Sequence, residues 1–224
     1  MWKAGSWRAA ALVDGLGTPS STVALCRYVD AKSAKLARAE IGEDALPNKT
    51  IWIVDAAYLM KAALGRFDYL KLKSALESLA GSDFFESYYL NSTPNPPTDV
   101  QDAFHTWLKT APPNGPKMRV QLYKLKDLHV NCPTCAAHFD RPVQKGVDVG
   151  IATLILKLAT QGQYDRLVLA AGDGDFEDAI AYVKSELHKE IWIAGFEGSV
   201  SADLQSYADK VLWLNASWDF IRKT

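Results

Sequence analysis

No stretch of this sequence stays apolar for the roughly 20 residues that a membrane-crossing helix requires. The run Ala9–Val13, which comes after Lys3 and Arg8, is too brief for the core of a secretory signal. Cysteine is scarce as well. Cys26, Cys132 and Cys135 make an odd set that builds no disulfide framework and fits a reducing compartment, so a cytoplasmic protein with no membrane partner is expected. Charge of one sign is missing too: 25 Lys+Arg stand against 26 Asp+Glu, a formal net charge of −1. Overall charge therefore neither draws the chain to nucleic acid nor keeps it away, and such a partner must be met by a local basic surface. There are no internal repeats and no low-complexity tracts.

What is present is an ordinary globular composition, with 48% apolar residues in 224, enough for a sizeable core. Residues 1–48 differ from the rest of the chain. Gly15 to Ser21 is loop chemistry, and Val23 to Ile41 carries the alanines, lysines and arginines of an amphipathic helix, so an N-terminal extension, partly helical, is expected ahead of a domain over 49–224. The basic face of that helix (Arg27, Lys32, Lys35, Arg38) is either a solvated surface or a phosphate contact.

From residue 49 onward, strands and helices alternate. Ile51–Val54 and Val168–Ala171 are apolar runs of the kind buried on both faces. Further strands are expected at Phe84–Leu90, Met118–Leu125, Glu190–Ala194 and Val211–Leu214. Helices are expected at Ala56–Leu64, through Leu70–Leu79, around Phe104–Leu108, and at Gly146–Ala159, Phe176–Leu187, Ser201–Ala208 and Ala216–Arg222. This rhythm predicts an α/β fold in three layers, a mainly parallel central sheet flanked by helices.

Two strands end on carboxylates. Ile51–Val54 stops at Asp55, and Val168–Ala171 runs into Gly172-Asp173-Gly174-Asp175. Ligands of open α/β sheets lie at this end of the strands. Glycines let successive side chains share one side of a turn, and close carboxylates repel unless a cation lies between them; hard cations such as magnesium take such oxygens. The plainer alternative is a capped helix start with exposed acids. Asp148, in the first turn of a helix, is accounted for by the helix dipole, which leaves the neighbouring Lys145-Gly146 without an explanation.

An insertion at 125–144 interrupts the rhythm and is expected to be a cysteine-containing loop. His129, Cys132, Cys135 and His138 recur every third residue, and Cys-Pro-Thr-Cys is the knuckle that commonly supplies half of a zinc site. The readings are a structural zinc, a metal-free loop with reduced thiols, or a redox pair. The tryptophans and tyrosines either stack bases or bury a homodimer interface.

Taken together and in order, Ile53-Val54-Asp55, Lys145-Gly146-Val147-Asp148-Val149, Ala171-Gly172-Asp173-Gly174-Asp175-Phe176 and Gly195-Phe196-Glu197-Gly198-Ser199 resemble the motifs of NYN domains. They are most similar to the LabA-like branch of the PIN-like nuclease superfamily, over about residues 50 to 215. The resemblance implies a hydrolase that cleaves phosphodiester bonds, in RNA rather than DNA, with magnesium or manganese held by Asp55, Asp148, Asp173 and Asp175. In that reading Lys145, Ser199 and Ser201 are candidate substrate contacts, although the two serines read first as ordinary helix caps. The chain departs from the family pattern at Tyr58, where asparagine is usual, and at Ala171, where Ser or Thr is usual. Both changes take away small polar groups that orient a ligand or water. The alternative is accordingly a weak or inactive module on the same fold that binds nucleic acid or protein.

Overall fold

The computed structural model describes residues 49 to 223, apart from positions 95, 132, 136, 137, 144 and 145. The expected N-terminal helix, Cys26, Cys132 and Lys145 lie outside the described residues. Strand β1 (Thr50–Asp55) leads into helices α1 (Ala56–Ala62) and α2 (Tyr69–Ala80), then β2 (Glu86–Thr93), α3 (Asp99–Lys109) and β3 (Arg119–Lys124). A hairpin of β4 (Lys126–Asn131) and β5 (His138–Val143) precedes α4 (Val147–Thr160). The chain continues through β6 (Arg166–Ala170), a 3₁₀ turn (Gly174–Phe176), α5 (Glu177–Ser185), β7 (Glu190–Gly195), α6 (Ala202–Tyr207) and β8 (Lys210–Trp213). It ends in a second 3₁₀ turn (Leu214–Ser217) and α7 (Trp218–Ile221).

The six-stranded sheet has the order β3-β2-β1-β6-β7-β8 and every neighbouring pair is parallel. The chain builds outward from β1 to β3, then crosses through α4 to the other side of β1 and builds outward again. The strand order therefore reverses between β1 and β6, and this switch opens a crevice at the carboxyl ends of those two strands.

The apolar runs read as strands because both sides of the sheet are covered. Ile51, Ile53, Leu167, Leu169, Ile191 and Ile193 face a core completed by Ile151 and Ile155 of α4, Ile180 and Val183 of α5 and Leu204 of α6. The alternate residues Trp52, Val54, Val168, Ala170 and Trp192 face a second core with Leu59 of α1, Leu72 and Leu76 of α2 and Leu108 of α3. Each fully buried branched side chain contributes about 1.5–3 kcal/mol of gross burial energy, so the central strands anchor both layers at once. Helix α3 starts on a capping box in which the Thr98 hydroxyl accepts from Gln101 N while the Gln101 side chain accepts from Thr98 N.

Two expectations need correction. The strand expected to end at Leu90 runs on in β2 to Thr93, because Asn91, Ser92 and Thr93 find partners in Leu122, Tyr123 and Lys124 of β3. The insertion is not a plain loop but an antiparallel hairpin with Lys126 opposite Val143 and Asn131 opposite His138. Pairing its backbone in a ladder satisfies donors and acceptors that a long exposed loop would leave to water.

Candidate metal centre at the carboxyl edge

Asp55 is the last residue of β1 and the N-cap of α1, and its position is held by both roles. Its Oδ1 accepts from Ala57 N at 3.0 Å and Tyr58 N at 3.2 Å, and the residue is 6% exposed. Across the switch, Asp173 lies just beyond β6 and caps the 3₁₀ turn, with its Oδ1 accepting from Asp175 N at 3.1 Å. Phe176, wholly buried, pins that turn to the core directly after Asp175. Asp148 lies in the first turn of α4. Three separate crossings of the sheet thus deliver four carboxylates to one edge.

Like charge is felt at two of the four carboxyls. Burial raises the Asp55 carboxyl above the ordinary carboxylate value, and the charges of Asp148 and Asp173 raise it further, against the opposing N–H groups of Tyr58 and Ala57. Asp148 is likewise raised, first by partial desolvation and then by Asp173 and Asp175. Among the described residues, no three His, Cys, Asp or Glu side chains are drawn together tightly enough to chelate an ion as they stand. The four aspartates are gathered at electrostatic range, not at coordinating range. Beside them an open cleft of about 490 Å³ runs between α4 and α5, lined by Asp148, Asp175, Glu177, Asp178 and the apolar Val149 and Ala152. A further carboxylate, one that no sequence motif marks, is Asp203 of α6, which would stand 3.4 Å from a Cβ placed on Gly174. Its sequence signal is an acid in the first turn of a helix, too common to single out.

Tyr58 is the other site-building residue that the sequence motifs miss. Phe196 N donates to its hydroxyl at 3.2 Å, the hydroxyl donates to Ser199 Oγ at 2.7 Å, and Ser199 Oγ donates to Phe196 O at 2.8 Å. These bonds close a ring that ties α1, and with it the Asp55 cap, to the loop after β7. The phenol lies in a slot that glycine makes available. A Cβ on Gly172 would stand 2.2 Å from Ser199 O and 2.3 Å from Tyr58 Cε2, and one on Gly195 would stand 2.5 Å from the Tyr58 hydroxyl. Burial raises the Tyr58 phenol above its ordinary value, so it stays protonated and keeps its place as donor in the ring.

The other candidates take more ordinary places. The Ser199 proton is committed to the Tyr58 ring, and Ser201 is the N-cap of α6, its Oγ accepting from Leu204 N at 3.2 Å. Ala171 is fully buried. His129 and His138 sit on the two strands of the hairpin, exposed; His138 Nδ1 lies 2.5 Å from Asn131 Oδ1, and Cys135 is an exposed free thiol in the turn. No helix among the described residues is long and apolar enough to cross a membrane.

A family model described as the NYN domain matches residues 49–215. Among curated proteins, the low amplitude and bright protein LabA of Synechococcus elongatus is 34% identical over 77 residues, covering 34% of this chain and 41% of LabA. The chain thus spans about two fifths of the length of that relative. Among solved structures, a protein of unknown function from Vibrio parahaemolyticus has a TM-score of 0.56 at 21% identity over 78% of this chain and 96% of that one, a likeness of fold.

Proposed function

The chain belongs to the NYN-domain family, on its LabA-like branch, within the PIN-like nuclease superfamily, and from that premise we propose that it is a metal-dependent nuclease hydrolysing phosphodiester bonds, in RNA before DNA. The observation that carries the reading is the convergence of Asp55, Asp148, Asp173 and Asp175 on the crevice where the strand order reverses, drawn there from two strand ends and a helix start. Like charges that raise the Asp55 and Asp148 carboxyls fit a hard divalent cation, whose charge relieves the repulsion. Asp55, Asp148, Asp173 and Asp175 would hold magnesium or manganese once drawn in around it, and the ion would supply Lewis acidity toward water and phosphate oxygens.

The protein's own residues prepare the site. The N–H groups of Ala57 and Tyr58 anchor Asp55 by its Oδ1, which leaves Oδ2 as the oxygen to offer a cation. The Asp173 cap holds Asp175 in register with it. None of the four is required as a nucleophile, so water attacks phosphorus. Lys145, Ser199 and Ser201 would contact the phosphate backbone, and Cys132 and Cys135 with His129 and His138 would hold a structural zinc.

A second reading, binding without turnover, is favoured by Tyr58 and Ala171. The phenol is committed to Ser199, and the Ala171 methyl offers no polar group where the family usually has one. One assay separates the two: RNA and DNA substrates with magnesium, with manganese, and with chelator. Metal-dependent cleavage that disappears in Asp173→Asn supports the nuclease; binding without cleavage under every condition supports the module.

A further inference from the structure

The opposite edge of the sheet carries a site of reversed charge. At the amino ends of β2 and β3 lies a cavity of about 340 Å³, toward the lower end of the roughly 300–1,000 Å³ usual for small-molecule sites. Four cations line it from four elements: Lys73 of α2, Lys109 at the end of α3, Lys117 in the loop after α3 and Arg119 at the start of β3. A single lining carboxylate, Glu86, opposes them, and it is already paired with Arg119. Lys73 is also engaged, donating to Pro116 O at 2.9 Å and lying 3.8 Å from Glu77. Lys109 and Lys117 are exposed, and their ammonium groups have no hydrogen-bond or ion-pair partner among the described residues.

Two further features point to a ligand rather than to a solvated face. Ser87, 3% exposed, belongs to the cavity wall, and its hydroxyl is buried behind the wall surface without a hydrogen-bond partner. Buried polar groups are almost always partnered, so this hydroxyl gains a hydrogen bond when the wall adjusts to a ligand. Lys117 also holds a left-handed backbone, φ 54°, fixed by Lys117 N donating to Thr110 O at 2.8 Å, a conformation that side-chain-bearing residues adopt at a cost and that concentrates at ligand sites.

The rest of the wall is apolar. Phe84 and Met118 form the buried floor, and Phe85 stands 54% exposed at the rim, with Lys49 Nζ 5.3 Å from its ring centroid. An exposed aromatic ring beside unpaired lysines provides a stacking surface next to a phosphate-binding one. We propose that this cavity binds a nucleoside phosphate, its phosphate at Lys109 and Lys117 and its base against Phe85, either as a free nucleotide or as the 5′-terminal residue of a strand. The site is independent of the aspartate cluster and needs no metal.

The test is calorimetric titration of the full chain at low salt with chelator present, using adenosine 5′-monophosphate, adenosine, inorganic phosphate and a 5′-phosphorylated oligonucleotide. Adenosine monophosphate should bind one to one and at least tenfold more tightly than adenosine or phosphate alone. The double variant Lys109→Gln, Lys117→Gly should weaken it at least tenfold; glycine accepts the left-handed backbone, so this variant folds. Ser87→Ala should weaken it several-fold, while Asp173→Asn should leave it unchanged. A mononucleotide that binds as tightly as the oligonucleotide assigns the cavity to free nucleotide, and a clear preference for the oligonucleotide assigns it to strand ends. No binding by the intact protein, binding untouched in the double variant, or phosphate alone binding equally well would overturn the proposal.

Discussion

The two ends of one parallel sheet are built on opposite terms. At the carboxyl edge, β1 and β6 deliver carboxylates beside a tightly packed slot in which Gly172 and Gly195 make room for the Tyr58 phenol. At the amino edge, β2 and β3 start beside an open cavity where Lys109 and Lys117 are unpaired and a serine hydroxyl is unpartnered. The carboxyl edge concentrates like charge that raises the Asp55 and Asp148 carboxyls; the amino edge concentrates the opposite charge. The lesson is that a net charge of −1 conceals two fields of opposite sign. A polyanionic substrate meets repulsion at the carboxyl edge unless a cation is bound there, and meets none at the amino edge.

The sharpest way to break this contrast is to remove charge from the carboxyl edge. Asp173→Asn keeps the cap and should lower metal-dependent cleavage on the order of a thousandfold, the loss of several kcal/mol of transition-state stabilisation, with the fold intact. A wild-type rate in that variant would take the four aspartates out of catalysis. Packing tightness comes next. Gly172→Ala should cost about 3 kcal/mol, because its methyl would overlap the Ser199 carbonyl and the Tyr58 ring, neither of which can retreat. A melting temperature within a degree or two of wild type would show the crevice to be looser than the geometry requires.

Tyr58→Phe sharpens the comparison more finely. It keeps the ring that fills the slot and deletes the hydroxyl, leaving Phe196 N–H unpartnered, so stability should fall by about 1–2 kcal/mol in denaturant unfolding. If unfolding does not change, the hydrogen-bond ring is not what ties α1 to the β7 loop. The pH dependence should be smaller still and has a definite sign. The folded Asp55 and Asp148 carboxyls bind protons more tightly than their ordinary value of 3.8. Their favourable contribution is therefore complete below about pH 3.8 and is lost as pH rises through their raised values. Asp55→Asn, which can still cap α1, should raise the melting temperature at neutral pH, and magnesium should do the same for the wild type and not for the variant. A lower melting temperature in Asp55→Asn would reverse the assignment. At the hairpin, zinc analysis of protein purified without chelator, set against thiol titration of Cys135, should show about one zinc per chain and a blocked thiol; a freely titrating thiol without zinc removes the structural-metal reading.

Much of the carboxyl edge is legible in the sequence because its signals are local. Strands covered on both faces must be apolar at every position, so Ile51–Val54 and Val168–Ala171 are visible as runs, and the carboxylates directly after them mark the sheet's carboxyl end. The Thr98-x-x-Gln101 cap is equally local. The hairpin is less so: Leu128 and Val130 alternate with His129 and Asn131, yet strand pairing depends on a partner segment, and the histidine and cysteine spacing masks the period of two. Tyr58 reads in the sequence as a departure from a family pattern, and its neighbours show its use. Nothing near position 58 in the chain announces that Phe196 and Ser199 will close a hydrogen-bond ring 138 and 141 residues away.

By itself, then, the sequence determined the α/β alternation, the buried strands and the identity of the four aspartates, since each rests on chemistry within a few residues of chain. Only the tertiary structure decided the strand order β3-β2-β1-β6-β7-β8, which places Asp55 and Asp173 on either side of one crevice. It alone brought Lys73, Lys109, Lys117 and Arg119 to one cavity and slotted Tyr58 between Gly172 and Gly195. The physical reason is the same in each case. Periodicity and propensity act over one turn or one pleat, whereas electrostatic fields and steric fit depend on distances between side chains that the chain brings together from far apart.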